Sequence, residues 1–488
     1  MPIKEKAKAG VKEMEFAKLL KVVKNKKVSE VVDNSKNVVP GSVFVCIKGF
    51  KSDGHNFVAD ALSKGAKYIV TERDLGLSNE TQIIVKNTRR ALADLAHVFY
   101  DNPSKKLNLI GVTGTNGKTS TVFMLHHILS PKNAGLLSTV KTMIGEEKIP
   151  QERTTPEALE IDQLLVKMIE NNTRYAVMEV SSHSVVLERV AGLHFVGGIF
   201  TNLSQDHLDF HQNMEEYARA KQEFFSLLKN DSVAVFNADD PYGEFMVEKT
   251  PGRKIGFGLK NGIVQAKDIA ASATSIKYTL TIEKKEWPVN LAIGGEFNVE
   301  NSLGALALCY GLGIDLDFAI SRLATFPGVP GRFENVALNH DFAVIVDYAH
   351  TPDGLENLLS SAKKQCQGRL IVVFGCGGDR DKTKRPKMGQ EVEKWADVII
   401  VTSDNPRTEE PMSIIQDILP GIKEKPYIVE ADRKKAIFLA IESAKPKDIV
   451  VIAGKGHEDY QEINGVKYHF DDREVAREGL KKFAKNQC

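Results

Sequence analysis

The 488 residues carry a formal net charge of +1, with 42% apolar and 26% charged residues. That length exceeds one ordinary core and points to about three domains. So small a net charge provides no field that would favour nucleic acid or an anionic membrane, although an anionic small substrate needs only a local basic cluster.

The opening MPIKEKAKAGVKEMEF is too charged for the apolar core of a secretory signal. Apolar runs such as LIVVFG and DVIIVT fall far short of the ~20 residues of a membrane helix. A cytoplasmic protein with no nucleic-acid or membrane partner is therefore expected. Cys46, Cys309, Cys366, Cys376 and Cys488 are scattered and form no CxxC. Free thiols are expected rather than a zinc ribbon or a disulfide framework.

Residues 1–103 mix short strands (VFVCI, YIVTE, QIIVK) with a helix near Arg89 to Tyr100 and end at the turn-like DNPSKK. Residues 104–335 open with the strand LNLIGVT, a glycine-rich loop and the helix TSTVFMLHHIL. Alternation of strand and helix continues through RYAVMEV and GGIFTNL, which predicts a parallel sheet. The segment ends near FPGVPGRFE, where Pro and Gly break any regular element. Residues 336–488 offer four apolar strands, in FAVIVDYAH, RLIVVFGCGG, ADVIIVTSDNPR and DIVVIAGKGHE, each running into an unusual polar motif. Ligands of open α/β sheets bind beyond the carboxyl ends of strands, so four such ends predict a site. The expected fold is α/β in three domains: a small N-terminal α/β domain, a central P-loop parallel-sheet domain and a C-terminal Rossmann-like domain.

Residues 111–119 read GVTGTNGKT, between a strand and a helix. That context suits a phosphate cradle, because glycines admit phosphate oxygens close to backbone N–H groups and the helix N-terminus adds a favourable dipole. Gly114, Thr115, Asn116, Gly117, Lys118, Thr119 and Ser120 are the expected ATP-binding residues. Lys118 would contact the β- and γ-phosphates, and the Thr119 hydroxyl would hold Mg2+. The spacing departs from the strict P-loop, since Val112 stands where that pattern has Gly.

The variant GxTGTNGKT resembles the loop of the Mur ligases and folylpolyglutamate synthases. Further blocks similar to Mur ligases follow in order: TTPEAL (154–159), MEVSSH (178–183), TNLSQDHLDFH (201–211), NADDP (237–241), GEFNVENSLGA (295–305), PGVPGRFE (327–334), DYAHTPD (347–353), GCGGDRDKTKRPKMG (375–389), DNPRTEEP (404–411) and AGKGHEDYQ (453–461). The resemblance covers nearly the whole chain. It implies a ligase that phosphorylates a carboxylate with ATP and lets an amine attack the acyl phosphate, so that catalysis is chiefly positioning and charge neutralisation.

By that resemblance Lys118, Glu179, His207 and Lys221 are the catalytic set. Thr119, Glu179, His207 and a CO2-derived carbamate on Lys221 would hold Mg2+. On its own, Lys221 in EEYARAKQEFF reads as a solvated helix lysine. His207 and His211 have the i,i+4 spacing of a zinc-protease helix, but Leu208 stands where that motif requires Glu. Asn298, Arg332, Asp347 and His350 match ATP contacts from both sides of the second boundary, which implies a nucleotide held between domains two and three. Asn301 reads equally as a helix cap.

The resemblance further implies three substrates: ATP, UDP-N-acetylmuramoyl-L-alanyl-D-glutamate and meso-diaminopimelate. Ser35, Thr154, Thr155, Ser181 and Arg189 match acceptor contacts. Leu187 stands where the family often has Gln, and NSKNVVPGSVFVCIKG differs from the uridine-binding DSRxVxPGDLFxAxxG at Asn34 and Lys36. Phe50, Lys51 and Ser52 align with a nucleotide-contacting tripeptide of other residues. Arg380, Asp404, Asn405, Pro406, Arg407, Gly454 and Glu458 match the diaminopimelate pocket. There Arg407 suits the distal carboxylate and Glu458 the ammonium. Lysine lacks the distal carboxylate and would leave Arg407 unpaired. The alternatives are a lysine-adding or D-Ala-D-Ala-adding ligase, which the DNPR motif disfavours, and a folylpolyglutamate synthase, which the uridine-like first segment disfavours. A monomer is expected.

Overall fold

A computed structural model describes residues 15–486, apart from 51, 152, 208, 209, 338 and 339. The charged opening of the chain, Lys51, Leu208 and Cys488 therefore lie outside the described residues. Three large sheets follow one another along the chain, and a two-stranded hairpin, Tyr460–Ile463 with Val466–His469, comes after them. The first is parallel, formed by Val31–Val32, Val43–Val45, Tyr68–Thr71 and Gln82–Ile84. The helix Thr88–Phe99 covers it, with Asn87 as N-cap accepting from the N–H groups of Arg89 and Arg90. Ala91, Leu92, Leu95 and Ala96 form its buried stripe, at helical spacing.

The second sheet has eleven strands. Its middle is parallel, as the strand–helix alternation predicts. Asn108–Thr113 lies between Tyr175–Glu179 and Phe195–Phe200, and the parallel pairing continues outward on both sides. Both wings turn antiparallel. Val264–Ala271, Ile276–Ile282 and Lys285–Leu291 form a meander on one side, and Thr142–Ile144 and Glu147–Ile149 extend the other. The helix Lys118–Leu129 is buried on nearly every face between this sheet and its neighbours, so it shows no polar stripe.

The third sheet runs in the order Glu334–Asn335, Ala343–Asp347, Ile449–Ala453, Leu370–Phe374, Val398–Val401 and Tyr427–Val429. All its pairings are parallel except that of Glu334–Asn335. The last strand in sequence, Ile449–Ala453, is inserted between Ala343–Asp347 and Leu370–Phe374. The order therefore reverses at its carboxyl end and opens a crevice there. Among the described residues no helix is long and apolar enough to cross a membrane. Among the described residues, Cys46, Cys309, Cys366 and Cys376 form no disulfide.

A buried polar latch joins the first sheet's helix to the second domain. His97 Nδ1 lies 2.6 Å from Asp162 Oδ2, and His97 Nε2 donates to the Ala191 carbonyl at 2.7 Å. Burial disfavours charge on both side chains. At His97 the hydrogen bond and charge of Asp162 outweigh burial and raise the pKa, while burial raises Asp162. Asp162 Oδ1 is buried without a partner among the described residues. We expect His97→Ala to destabilise the chain by about 3–5 kcal/mol, because it strands the carboxylate. Adding Asp162→Asn should restore much of the loss. Denaturant midpoints of the two variants check this; equal destabilisation by both would show that lost packing is the cause.

Candidate active site

The phosphate loop leaves the carboxyl end of the central strand Asn108–Thr113. Gly117 sits at φ +80°, and a Cβ there would overlap Asn301 Oδ1, so only glycine fits. Neighbouring strand ends pin the loop. Thr115 N–H donates to Asn202 O at 2.8 Å, Asn116 N–H to Asn202 Oδ1 at 2.9 Å, and Thr201 Oγ1 to Asn116 O at 2.6 Å. The helix begins at Lys118, with no side-chain cap, which leaves its first N–H groups facing the cleft.

Two lysines converge on one carbonyl behind this loop. Lys118 Nζ donates to Gly114 O at 2.9 Å and to Thr115 O at 2.7 Å, and Lys221 Nζ donates to the same Gly114 O at 2.7 Å. Lys221 is 1% exposed and lies 4.5 Å from the Tyr217 ring centroid. This corrects the reading of Lys221 as a solvated helix lysine. The helix Met214–Ser226 turns the face carrying Tyr217, Ala218, Lys221 and Phe225 inward, beneath the loop. Burial, then the charge of Lys118, hold the Lys221 amine well below its ordinary pKa. Burial lowers Lys118 as well.

Thr119 Oγ1 donates to Glu179 Oε2 at 3.1 Å, and Glu179 Oε1 accepts Thr139 N–H at 2.8 Å. A hydroxyl and a carboxylate are hard oxygen donors, and together with nucleotide phosphates they suit Mg2+. His207 lines the same cleft, with Nε2 at 3.4 Å from Asp206 Oδ2. Burial lowers its pKa to about 4, so the ring is neutral at pH 7. The four side chains assigned to metal binding do not form one cluster: Thr119 and Glu179 are in contact, His207 shares their cleft, and Lys221 lies behind Gly114. Among the described residues no three His, Cys, Asp or Glu side chains converge as a preformed metal site.

The cleft encloses about 530 Å³ and is lined by Thr115, Asn116, Gly117, Lys118, Thr119, Ser120, Glu179, Arg332, Asp347 and His350, among others. That volume fits a small-molecule ligand. Its walls come from the second and third domains. Arg332 Nη2 donates to Thr119 Oγ1 at 3.4 Å, with its guanidinium over the Tyr348 ring at 4.5 Å. Asp347 Oδ2 accepts Phe333 N–H and Oδ1 accepts Ala349 N–H, both at 2.7 Å, which ties the Pro/Gly-rich segment 327–334 to the strand end. Burial raises the Asp347 pKa.

Sequence reasoning missed Asp353. Its Oδ2 accepts Asn116 Nδ2 at 2.6 Å and Ser204 Oγ at 2.7 Å, so the third domain's first helix touches the phosphate loop directly. Lys384, 3.5 Å from Asp206, adds a second bridge. Asn298 is buried away from the cleft, donating to Gly294 O at 2.8 Å and accepting from Asn301 Nδ2 at 2.9 Å. Asn301 lines the cleft and caps nothing; Phe297 holds the N-cap position.

Thr154, Thr155, Ser181 and Arg189, four of the five residues assigned to the acceptor, cluster around Glu179 and Thr139. Thr155 Oγ1 donates to Glu179 O at 2.9 Å and accepts Ser181 N–H at 3.1 Å. Arg189 Nη1 donates to Thr155 O at 3.0 Å, and Nη2 pairs with Glu157 at 2.8 Å. Thr154 Oγ1 accepts from Thr139 Oγ1 at 3.1 Å. Ser35 stands apart in the first domain. It is buried, and its carbonyl accepts Lys64 Nζ at 3.0 Å. Asn34, the departure beside it, caps the turn through Lys36 N–H.

At the third sheet's strand ends, Asp404-Asn405-Pro406-Arg407 is held from two sides. Asn405 Nδ2 donates to Glu458 Oε2 at 2.8 Å, and Asn405 Oδ1 accepts from the fully buried Lys455 at 3.0 Å. Gly454 sits at φ +121° against Asp404, where a Cβ would meet Oδ2 at 2.5 Å. Arg407, at φ +53°, is a left-handed non-glycine residue held by flanking hydrogen bonds. Both arginines of the assigned pocket flank Gly377, whose Cβ would lie 3.0 Å from Arg407 Nη1 and 3.9 Å from Arg380 Cγ. Arg380 is exposed.

A glycine-containing loop at a helix N-terminus, facing a cleft walled by the second and third domains, is the arrangement expected of an ATP-dependent ligase. Family models agree: "Mur ligase family, catalytic domain" matches residues 27–100, "Mur ligase middle domain" 112–309 and "Mur ligase, glutamate ligase domain" 331–456. The chain belongs to the Mur ligase family. It is 45% identical to the UDP-N-acetylmuramoyl-L-alanyl-D-glutamate–2,6-diaminopimelate ligase of Clostridium botulinum, over 94% of this chain and 97% of that one. It is 44% identical to the enzyme of the same name from Caldanaerobacter subterraneus, over 96% and 99%. A solved structure of a UDP-N-acetylmuramoyl-L-alanyl-D-glutamate–2,6-diaminopimelate ligase superposes with a TM-score of 0.69 at 32% identity, covering 93% of this chain and 95% of its own.

Proposed function

We propose that this chain joins meso-diaminopimelate to UDP-N-acetylmuramoyl-L-alanyl-D-glutamate, consuming ATP and releasing ADP and phosphate, as a step in making peptidoglycan precursor. The observation that carries the substrate assignment is the DNPR pocket. It offers Arg407, braced by Gly378, to a distal carboxylate, with Glu458 held by Asn405 for the distal ammonium, at the carboxyl ends of the third sheet's strands. Neither group has a use in a folate ligase or in a simple ATPase switch.

In this reading the D-glutamyl carboxylate oxygen attacks the γ-phosphorus, and the bond to ADP breaks. The neutral amine of the amino acid then attacks the acyl carbon. The amide forms as phosphate leaves with the C–O bonding pair, and the amine loses a proton. Lys118, Arg332 and the helix N-terminus neutralise the phosphates. Arg189 and Ser181 orient the acceptor, with Thr155 fixing both through its hydroxyl and carbonyl. Thr119 and Glu179, joined by His207, would hold Mg2+, which supplies Lewis-acid neutralisation of phosphate charge. Lys221 is assigned as a carbamate, formed when its amine adds to CO2 and releases a proton. A buried lysine whose Nζ donates to a loop carbonyl, in a setting that disfavours its ammonium, supports that modification. The reaction needs no membrane and a single chain, in the cytoplasm.

The test is coupled ADP release by the purified chain, with UDP-linked precursors and a panel of amino acids. ADP release should require both precursor and diaminopimelate. Arg407→Ala should lower kcat/KM for diaminopimelate on the order of 30-fold, at the lower end for a charged pair because Arg407 is partly exposed. A wild type that prefers lysine would refute the substrate reading and leave the ligase family assignment intact.

A further inference from the structure

Arg407 is not waiting unpaired for a substrate carboxylate. Its Nε donates to Glu462 Oε2 at 3.1 Å and its Nη1 to Gly378 O at 2.8 Å. Glu462 sits on the hairpin Tyr460–Ile463 and Val466–His469. That hairpin is laced to the DNPR segment through the backbone: Arg407 N–H donates to Glu462 O at 3.0 Å, Asn464 N–H to Arg407 O at 2.8 Å, and Glu462 N–H to Asn405 Oδ1 at 3.0 Å. Gln461 Nε2 adds a bond to Asp404 O at 2.6 Å. The placement of Glu462 is therefore a property of the fold.

We propose that Glu462 is a specificity-determining residue that sets how strongly the pocket rejects an amino acid lacking the distal carboxylate. This rests on the substrate reading above. A guanidinium presents five N–H donors in two forks. Glu462 takes the Nε edge and Gly378 one Nη1 hydrogen, so the terminal Nη edge is what remains for the substrate. Two consequences follow. Glu462 orients that edge, and it also supplies Arg407 with a counter-charge of its own. Lysine in the pocket then leaves Arg407 paired, so the penalty for an unpaired, half-buried cation is largely removed. A distal carboxylate, by contrast, arrives at a cation that already has a carboxylate on its other edge, and the like charges weaken its gain.

The variant E462Q separates orientation from charge, because an amide carbonyl still accepts the Nε–H. The expected result is a rise of about 5- to 10-fold in the ratio of kcat/KM for diaminopimelate over lysine. The change should appear in KM for the amino acids, with KM for ATP and for the UDP-linked acceptor unmoved. E462A should raise the same ratio but also raise KM for diaminopimelate above that of E462Q, since the Nε acceptor is gone. A ratio that stays constant or falls in E462Q overturns the proposal, as does a uniform loss across all three substrates, which marks a purely structural role. Wild-type enzyme that uses neither amino acid would overturn this proposal together with the substrate reading. A flat ratio in an enzyme that prefers diaminopimelate overturns this proposal alone.

Discussion

Replacing Lys118 by alanine should reduce ADP release on the order of 10³-fold while leaving the chain folded. Among the described residues the ammonium bonds to the Gly114 and Thr115 carbonyls of its own loop. The loop itself is held by other groups: Thr115 N–H on Asn202 O, Asn116 N–H on Asn202 Oδ1, and Thr201 Oγ1 on Asn116 O. Alanine removes none of these and is a good helix former at the first helical position. What it removes is the mobile positive charge that can leave the loop carbonyls and follow the transferred phosphoryl group. The measurement is steady-state ADP release together with thermal midpoint and ATP-analogue affinity. An unchanged midpoint, weaker analogue binding and collapsed turnover are expected. Turnover within tenfold of wild type in a folded variant would show that the loop backbone and Arg332 carry the phosphate charge without Lys118.

Features that depend on local sequence are legible in the chain itself. The loop GVTGTNGKT declares itself because strand, glycines and helix are contiguous, and the four strands of the third sheet because each is a short apolar run with a polar end. The parallel middle of the second sheet follows from alternation. Its antiparallel wings did not, since Ile276–Ile282 and Lys285–Leu291 alternate like any half-buried strands and carry no signal of which edge they join.

What stayed hidden depends on distant residues meeting. Asp353 lies 237 positions from Asn116, and in sequence it is merely an acidic residue in the first turn of a helix. Glu462 carries no signal in the sequence, and it is the hairpin's return onto the DNPR segment that brings it to Arg407. Arg385, 1% exposed and clamped by Glu409 and Asp417 at 2.8 Å each, lay inside a recognised motif with no assigned role. Its bonds lower the Glu409 pKa to about 2 and brace the wall beside Gly377. Lys221 is the sharpest case. Its helix carries Glu215, Glu216, Arg219 and Glu223 on other faces, so composition alone reads it as solvated, whereas tertiary packing puts it beneath Gly114.

Lys221→Ala should cost at least ~10²-fold in turnover, more than loss of a group that merely orients a metal ligand. The reason lies in the shared carbonyl. Lys118 and Lys221 both donate to Gly114 O, so as ammoniums they would place two positive charges on one acceptor in a buried setting. Converting the Lys221 amine to a carbamate replaces that repulsion with attraction: an anion then stands beside Lys118 and beside the cleft that Thr119 and Glu179 line. Alanine removes both the amine and the anion, and a small diffusible carboxylate such as formate should restore part of the activity by entering the space left behind. Lys221→Met, which keeps most of the buried volume, should be equally inactive, fold normally and resist rescue because no space is left. A second readout is independent of turnover: wild-type protein equilibrated with 13C-labelled CO2 should show a carbamate carbon resonance that is missing from both variants. Wild-type rates in Lys221→Met, or no labelled carbamate in an active wild type, would mean that Lys221 serves as a buried amine bracing Gly114, and that the anion assigned to this position is not formed.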